Sequence, residues 1–363
     1  MTMKKYLFTL MMAAMSVTAW AGQYVLTVNS LGEADNGREF RLVSFDTGDT
    51  LAIAKANQEK IVFKGTVAEP VMARVIGGDY KLDVVVETGQ IQLDADSEIT
   101  SGTALNNNLA SILKEINAAV EEYRNIEKKF KNGEIDEQTA QMDAMLIPAK
   151  IENALNSGYE RNKDNVVGQW AFCNYITVSD GVDYNELIEM LKDAPANYAS
   201  LKRVQKTLKS LRAVEETAEG KQFTDFAMTD TKGNVTRLSD YLKPGQYTLV
   251  DFWASWCGPC RREIKNTLKP LYEKYNGKGM QFVGVAVWDE PEDTEMAIEQ
   301  MKLPWPIMKN NHQSSDETEM YGIQGIPHIM ILDGSGKILS RGLQGDDLVQ
   351  FVDSLFGVTP STK

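Results

Sequence analysis

Cysteine and histidine are nearly missing from this chain: three cysteines and two histidines occur in 363 residues. So few thiols exclude a disulfide-stapled scaffold, and so few soft ligands exclude most His/Cys metal clusters. Positive charge is in deficit too, with 38 Lys and Arg against 51 Asp and Glu and a formal net charge of −13. A nucleic-acid backbone or an anionic lipid surface is therefore a poor main partner. The apolar run at 6–17 is too short to span a bilayer comfortably. What remains is an ordinary globular balance, 43% hydrophobic and 25% charged. At roughly 100 to 200 residues per domain, that is material for two or three cores.

Lys4 and Lys5, the run at 6–17 and the small-x-small sequence Ala19-Trp20-Ala21 before Gly22 read as an export signal over residues 1–21, cleaved after Ala21. No cysteine stands near that point to carry a lipid. The expected location is the periplasm or cell envelope, where disulfides persist unless something reduces them.

The chain then changes character twice. Over 22–103, short alternating runs at 24–29, 39–45, 60–67, 71–76, 80–87 and 90–95, punctuated by glycine turns, predict a small antiparallel β domain. Its charged residues form no catalytic-looking cluster and read as a solvated sheet face. Over 104–217 the period becomes helical. Leu109, Ile112, Leu113, Ile116, Val120, Tyr123, Ile126 and Phe130 make one apolar stripe on a long first helix, which Asn132-Gly133 ends. Further helices follow Asp136 and Val166, with Pro148 as a kink or break. Asp183 and Glu186 open a fourth helix with a capping-box-like pair, and a fifth covers 197–216. Cys173, beside Trp170 and Phe172 in the third helix, reads as a buried small hydrophobe. Residues 218–223 are the expected hinge into 218–363, where strands and helices alternate as in an α/β layer.

The chemistry-bearing motif is Trp256-Cys257-Gly258-Pro259-Cys260, after the apolar strand 248–253 and at the opening of a helix. Two cysteines three positions apart at a helix start can close a small disulfide ring. Gly258 is expected to permit a tight turn, and Pro259 suits a first helical turn whose amide would be unpaired anyway. The free amides of that turn favour a thiolate on Cys257, lowering a thiol pKa near 8.5 toward about 7. Cys257 is thus the nucleophile, and Cys260, deeper in the helix, resolves the mixed disulfide. A zinc site would need two more ligands from Cys173, His312 and His328, which offer no second paired spacing. A structural disulfide closing a two-residue loop would constrain the unfolded chain little.

The run 249–260, LVDFWASWCGPC, resembles the active-site strand and turn of thioredoxins, and the last 140 or so residues resemble the exported TlpA/ResA-type thiol-disulfide oxidoreductases. The polar turn Asp230-Thr231-Lys232-Gly233, the tail Gly325-Ile326-Pro327 and the sequence Asp333-Gly334-Ser335-Gly336-Lys337 carry the same likeness. The resemblance implies a thioredoxin fold, with a helix and strand between Asp289 and Met308 as the TlpA-type insertion. More distantly, the front half resembles the region joined to such domains in envelope proteins of Bacteroidetes-type bacteria, including Ser101-Gly102-Thr103 followed by Asn106.

By that resemblance Pro327 is a cis-proline facing the disulfide, exposing the backbone of Ile326 to a client strand. Trp256, Gly258, Pro259, Ile326 and Pro327 would form the client-binding surface. Asp251 matches the buried acid under the thioredoxin disulfide, placed to take the proton of Cys260, and Glu263 matches an acid of the ResA-like branch that could share that work. The strand 281–287 holds no lysine to pair with Asp251, a departure from plain thioredoxin. His328 either tunes the thiolate or faces the sheet edge, and Trp253 is active-site packing. The implied activity is protein-disulfide reduction without metal or organic cofactor, on disulfide-containing envelope proteins, apocytochrome c among them. Re-reduction would come from a membrane thiol donor, membrane contact only through a partner, and nucleic acid would play no part. Gly258-Pro259 is the thioredoxin dipeptide, and about 150 mV, or roughly 7 kcal/mol, separates thioredoxin from a strong oxidant. This favours reduction. Poise also depends on thiolate stabilisation, so an oxidase or isomerase stays open, as does a front half that selects clients. A lone peroxidatic cysteine does not fit the paired motif.

Overall fold

The computed structural model describes residues 21–179, 181–309 and 317–358. The expected export signal, apart from Ala21, and His312 lie outside them. The chain forms two compact units, one of residues up to 182 with 189–204, the other of 183–188 with everything from 205. These limits cut across the expected boundaries at 103/104 and 217/218.

The first unit begins with β1 (Gly22–Asn29), β2 (Glu39–Ser44), β3 (Thr50–Lys55), β4 (Ile61–Val67), β5 (Val71–Gly77), β6 (Tyr80–Val86), β7 (Gly89–Asp94) and β8 (Ile99–Ser101). They form two four-stranded sheets, in the orders β4-β1-β7-β8 and β3-β2-β5-β6. Alternate residues point inward: Leu26, Val28, Ile61, Phe63, Ile91 and Leu93 from one sheet meet Phe40, Leu42, Val75 and Val84 from the other in one core. Six strands stand where the alternation placed them, whereas β3 and β8 were not foreseen. β3 has no fully buried position, and β8 has three residues. The expectation of an antiparallel domain also needs correction, because β1 pairs β7 in parallel. All the intervening strands lie between those two in sequence, a crossover that local alternation does not encode.

Asn106 joins this β layer to the helices. Its amide accepts from Val85 N–H at 3.0 Å and donates to Val85 O at 2.7 Å, satisfying the free backbone of edge strand β6. Helices α1 (Ala104–Lys131), α2 (Glu137–Ala144), α3 (Ile147–Arg161) and α4 (Val166–Val178) follow. Asp136 caps α2 by accepting from Thr139 N–H, and Pro148 opens α3 in its first turn rather than kinking a longer helix. The α1 stripe is covered at Leu109, Ile112 and Ile126 but not at Tyr123 and Phe130, which are 42% and 46% exposed. Cys173 is buried in α4, and desolvation pushes its thiol up to about 12.

The second unit takes the start of α5 (Tyr184–Asp193), where Asp183 accepts from Glu186 N–H, and most of α6 (Lys202–Glu216). It continues with β9 (Ala227–Thr229), β10 (Val235–Arg237), β11 (Tyr247–Trp253), α7 (Gly258–Glu263), α8 (Lys269–Tyr275), β12 (Met280–Ala286), α9 (Pro291–Met301), β13 (Ile307–Lys309), α10 (Glu317–Tyr321), β14 (His328–Asp333), β15 (Ile338–Arg341) and α11 (Gly345–Leu355). One seven-stranded sheet runs β10-β9-β13-β12-β11-β14-β15. β11 is central, parallel to β12 and antiparallel to β14, which is why its sequence is apolar on both faces. Leu249 and Trp253 pack with Ile264, Leu268 and Val352 on one face, while Val250 and Phe252 pack with Met228, Tyr321 and Met330 on the other.

Candidate active site

The end of β11 delivers the motif. Through Ala254, Ser255 and Trp256 the chain turns into α7, with Cys257 at the N-cap and the N–H of Cys260 3.1 Å from its Sγ. The two sulfurs are joined, and the Cα atoms stand 5.3 Å apart. Cys260 is wholly buried and Cys257 3% exposed. In the reduced protein, the same amide and the positive end of the helix would stabilise a Cys257 thiolate. α7 continues through a π turn at Ile264–Leu268 into α8, where Pro270 lacks the amide for a regular ladder. Pro259 occupies the first turn of α7, as expected. Gly258 does not meet its expectation: it has no positive φ, and an added Cβ would lie no closer than 3.7 Å to Arg262 Nη1. The turn into α7 begins at the N-cap instead, so its geometry does not require glycine at 258.

Pro327 follows a cis peptide bond, and Ile326 O lies 3.8 Å from Cys257 Sγ. Ile326, Pro327 and the disulfide thus share one surface, to which Trp256 adds an indole that is 62% exposed. Gln344 Nε2 donates to Pro327 O at 3.1 Å and steadies the loop from behind.

Asp251 shares a strand face with Leu249 and Trp253, the face that packs against Cys257 and Cys260. It is 1% exposed, and neither carboxyl oxygen finds a hydrogen-bond partner among the described residues. Burial first, and the charge of Glu263 second, push its pKa up to about 8. Glu263, on α7, accepts from Gly345 N–H at 2.8 Å at the start of α11. His328 takes the opposite face: it pairs with Phe252 across β11 and β14, the two rings 6.2 Å apart. Of the two roles open to His328, thiolate tuning has no hydrogen bond to carry it, since Nε2 finds no partner among the described residues. Burial, then the Arg341 charge, lowers its pKa to about 4. Trp253 is wholly buried, as packing requires, although its Nε1 has no partner among the described residues.

Sequence reasoning missed the other side of the loop. Asp289 accepts from Ser255 N–H at 2.6 Å and from Ser255 Oγ at 2.8 Å, and Trp256 Nε1 donates to Trp288 O at 2.8 Å. The signal present in sequence was a bulky residue and an acid immediately after an apolar strand, Trp288-Asp289, but nothing local links it to Ser255.

Residues 220–341 match the AhpC/TSA family. Among known proteins, the chain is 29% identical over 143 residues to the thiol-disulfide oxidoreductase ResA of Geobacillus thermodenitrificans, covering 38% of this chain and 78% of that protein. It is 31% identical over 124 residues to the thiol:disulfide interchange protein HelX of Rhodobacter capsulatus, covering 32% of this chain and 65% of that protein. Among solved structures, the thioredoxin domain of a thiol-disulfide oxidoreductase from Bacteroides vulgatus is 37% identical, covering 38% of this chain and 97% of that one at a TM-score of 0.35.

Proposed function

We propose that this chain, whose C-terminal unit is an AhpC/TSA-type thioredoxin-like domain with ResA/TlpA-type thiol-disulfide oxidoreductase relatives, is an exported reductase of protein disulfides. The observation that carries the reading is the Cys257–Cys260 pair at a helix N-terminus beside the Ile326-Pro327 backbone. In the reduced protein the Cys257 thiolate attacks one sulfur of a client disulfide, and the client's other sulfur leaves as a thiolate. Cys260 passes its proton to the ionised form of Asp251, a minority near neutral pH given its pKa of about 8, and attacks Cys257 Sγ, which forms the Cys257–Cys260 disulfide and expels the second client thiolate. Two electrons pass to the client, and a membrane thiol donor returns them to the protein. The dithiol is itself the redox couple, so no metal or organic cofactor enters. Glu263 couples electrostatically to Asp251 and shares the proton work.

A client strand lies along Ile326 and Pro327 and contacts Trp256, Gly258 and Pro259. α9 and β13 supply the TlpA-type insertion. Reduction, rather than oxidation, follows from the Gly258-Pro259 dipeptide between the cysteines. Clients are disulfide-bearing envelope proteins, apocytochrome c among them, reached after export through the signal at 1–21.

The test is a trap. Cys260→Ser, expressed in its own cell envelope, accumulates mixed disulfides through Cys257. Absence of Cys257-linked partners, together with Cys257 alkylation no faster than that of a model thiol at neutral pH, overturns the reading.

A further inference from the structure

The geometry points to Asp289 as the positioning residue that holds the Ser255-Trp256 loop for protein clients, an inference that rests on the dithiol reading above. The loop between β11 and Cys257 is only three residues long, and two of the three, Ser255 and Trp256, are tied to the segment that follows β12. Val287 N–H donates to Trp253 O at 2.9 Å just past β12. Trp288 then turns through a left-handed φ of +54°, a conformation that a bulky residue seldom adopts and that needs support from its surroundings. That turn aims the Asp289 carboxylate back at Ser255. Oδ2 accepts from Ser255 N–H at 2.6 Å and from Thr294 Oγ1 at 2.9 Å, and Oδ1 accepts from Ser255 Oγ at 2.8 Å. Thr294 is 1% exposed on α9, so the carboxylate is anchored to a buried point of that helix. The remaining polar group of Ser255, its carbonyl, accepts from Arg261 Nη1 at 3.1 Å. The N–H, hydroxyl and carbonyl of Ser255 are thereby all used, and all three bonds are charge-assisted.

The consequence falls on Trp256. Its backbone follows a residue held by three hydrogen bonds, and its Nε1–H donates to Trp288 O at 2.8 Å in the segment that Asp289 anchors. The indole nevertheless stays 62% exposed next to Cys257. An indole fixed at both ends but uncovered is preorganised to receive a partner, since its ordering cost is already met before a client arrives. A small disulfide reaches Cys257 without covering the indole, whereas a folded or extended protein client must lie over it. Asp289 therefore sets selectivity for protein disulfides over small ones, acting through Ser255 and Trp256 and touching no reacting atom.

The experiment compares the full chain with Asp289→Ala, Asp289→Asn and Ser255→Ala, using insulin as the protein disulfide and glutathione disulfide as the small one. Far-UV circular dichroism and thermal unfolding establish that each variant is folded. Asp289→Ala should lower the ratio of kcat/KM for insulin to kcat/KM for glutathione disulfide about tenfold, mainly through KM for insulin. Asp289→Asn, which keeps one acceptor oxygen, should recover most of that ratio, and Ser255→Ala should fall between. The Trp256 indole N–H should exchange with solvent faster in Asp289→Ala than in the wild type. A folded variant whose ratio equals that of the wild type overturns the inference, whether both rates fall together or neither does. If Asp289→Ala fails to fold, the Ser255→Ala ratio decides by the same criterion. A wild-type protein that reduces neither substrate overturns instead the dithiol reading beneath it.

Discussion

Asp251 stands opposite Gly284 in the parallel register of β11 and β12, a buried carboxyl facing the one residue that brings no side chain to meet it. A Cβ at 284 would strike Ile307 Cδ1 at 2.5 Å and lie 3.1 Å from Trp253 Nε1 and 3.4 Å from Trp305 Nε1, yet neither Asp251 oxygen finds a hydrogen-bond partner among the described residues. Burial first, and the charge of Glu263 second, raise its pKa to about 8, so near neutral pH most of the carboxyl is protonated and a minority is ionised and able to accept a proton.

The sign of the resulting pH dependence follows from linkage. From about pH 4 upward the unfolded chain has lost a proton that folded Asp251 still holds, so its contribution to stability is complete below that point and is lost as pH rises through 8. Asp251→Asn should remove this slope. The stability of the variant relative to wild type should rise between pH 4 and pH 7 by at most about 4 kcal/mol, at 1.36 kcal/mol per unit, as read by denaturant unfolding at the two pH values. The same substitution should slow disulfide exchange on the order of 100-fold, because Cys260 loses its proton acceptor. A stability difference that does not vary with pH would mean that Asp251 ionises normally.

His328 works in the opposite window. Its pKa is lowered to about 4 by burial and by Arg341, so the unfolded chain takes up a proton between about pH 6.5 and 4 that the folded chain refuses. Its contribution is present above 6.5 and lost as pH falls through 4. His328→Phe, which keeps the ring contact with Phe252, should unfold less readily than wild type at pH 4.5 while matching it at pH 7.5. Thermal unfolding at those two pH values decides. A variant equally sensitive to acid would place the acid-labile group elsewhere.

What the sequence disclosed and what it hid differ in range. Cys257, Pro259 and Cys260 were legible because a strand end, an N-cap and a first-turn proline are all set within one short segment. Asp251 was legible as an acid inside an apolar strand, an arrangement that burial makes costly. Asp289 was not, because its partner Ser255 is 34 residues away and only the pairing of β11 with β12 brings them together. The parallel β1–β7 pair was hidden for the same reason: alternation gives the face of a strand but not its neighbour. Tyr123 and Phe130 failed in the other direction. A helical period marks an apolar stripe, yet whether the stripe is covered depends on helices the period does not describe.

Asn106 holds the first unit at a point where substitution has a defined cost. Its side chain, wholly buried, satisfies both Val85 N–H and Val85 O, accepts from Thr100 Oγ1 at 2.6 Å and donates to half-buried Thr103 Oγ1 at 2.8 Å. Asn106→Ala would leave the backbone groups of Val85 buried and unpaired, a loss of about 2–4 kcal/mol. The variant should show an earlier unfolding transition of the first unit by circular dichroism, with the midpoint potential of Cys257–Cys260 within error of wild type. A single unshifted transition would mean that water or a neighbour replaces the amide.

The choice of where to cut the chain follows from Arg341. Its guanidinium donates to Thr217 O at 3.0 Å, to Thr217 Oγ1 at 2.7 Å and to Tyr321 O at 2.8 Å, so it fastens the end of α6 to the sheet of the second unit. Thr217 is wholly buried, and the close approach of Gly322 to α6, where a Cβ would meet Ser210 O at 2.4 Å, adds a second point of contact. A fragment beginning at 218 keeps the whole redox motif but strips Arg341 of three acceptors, Val214 O, Thr217 O and Thr217 Oγ1, and uncovers the surface under α6. A fragment beginning at 205 keeps them. The shorter fragment should be less stable by about 1.5–3 kcal/mol, the worth of a hydrogen bond from a charged group, and should expose apolar surface that binds a hydrophobic dye. Denaturant unfolding of the two fragments measures the difference. Equal stability would show that α6 is dispensable to the second unit and that its contacts with Arg341 contribute nothing to holding the redox sheet together.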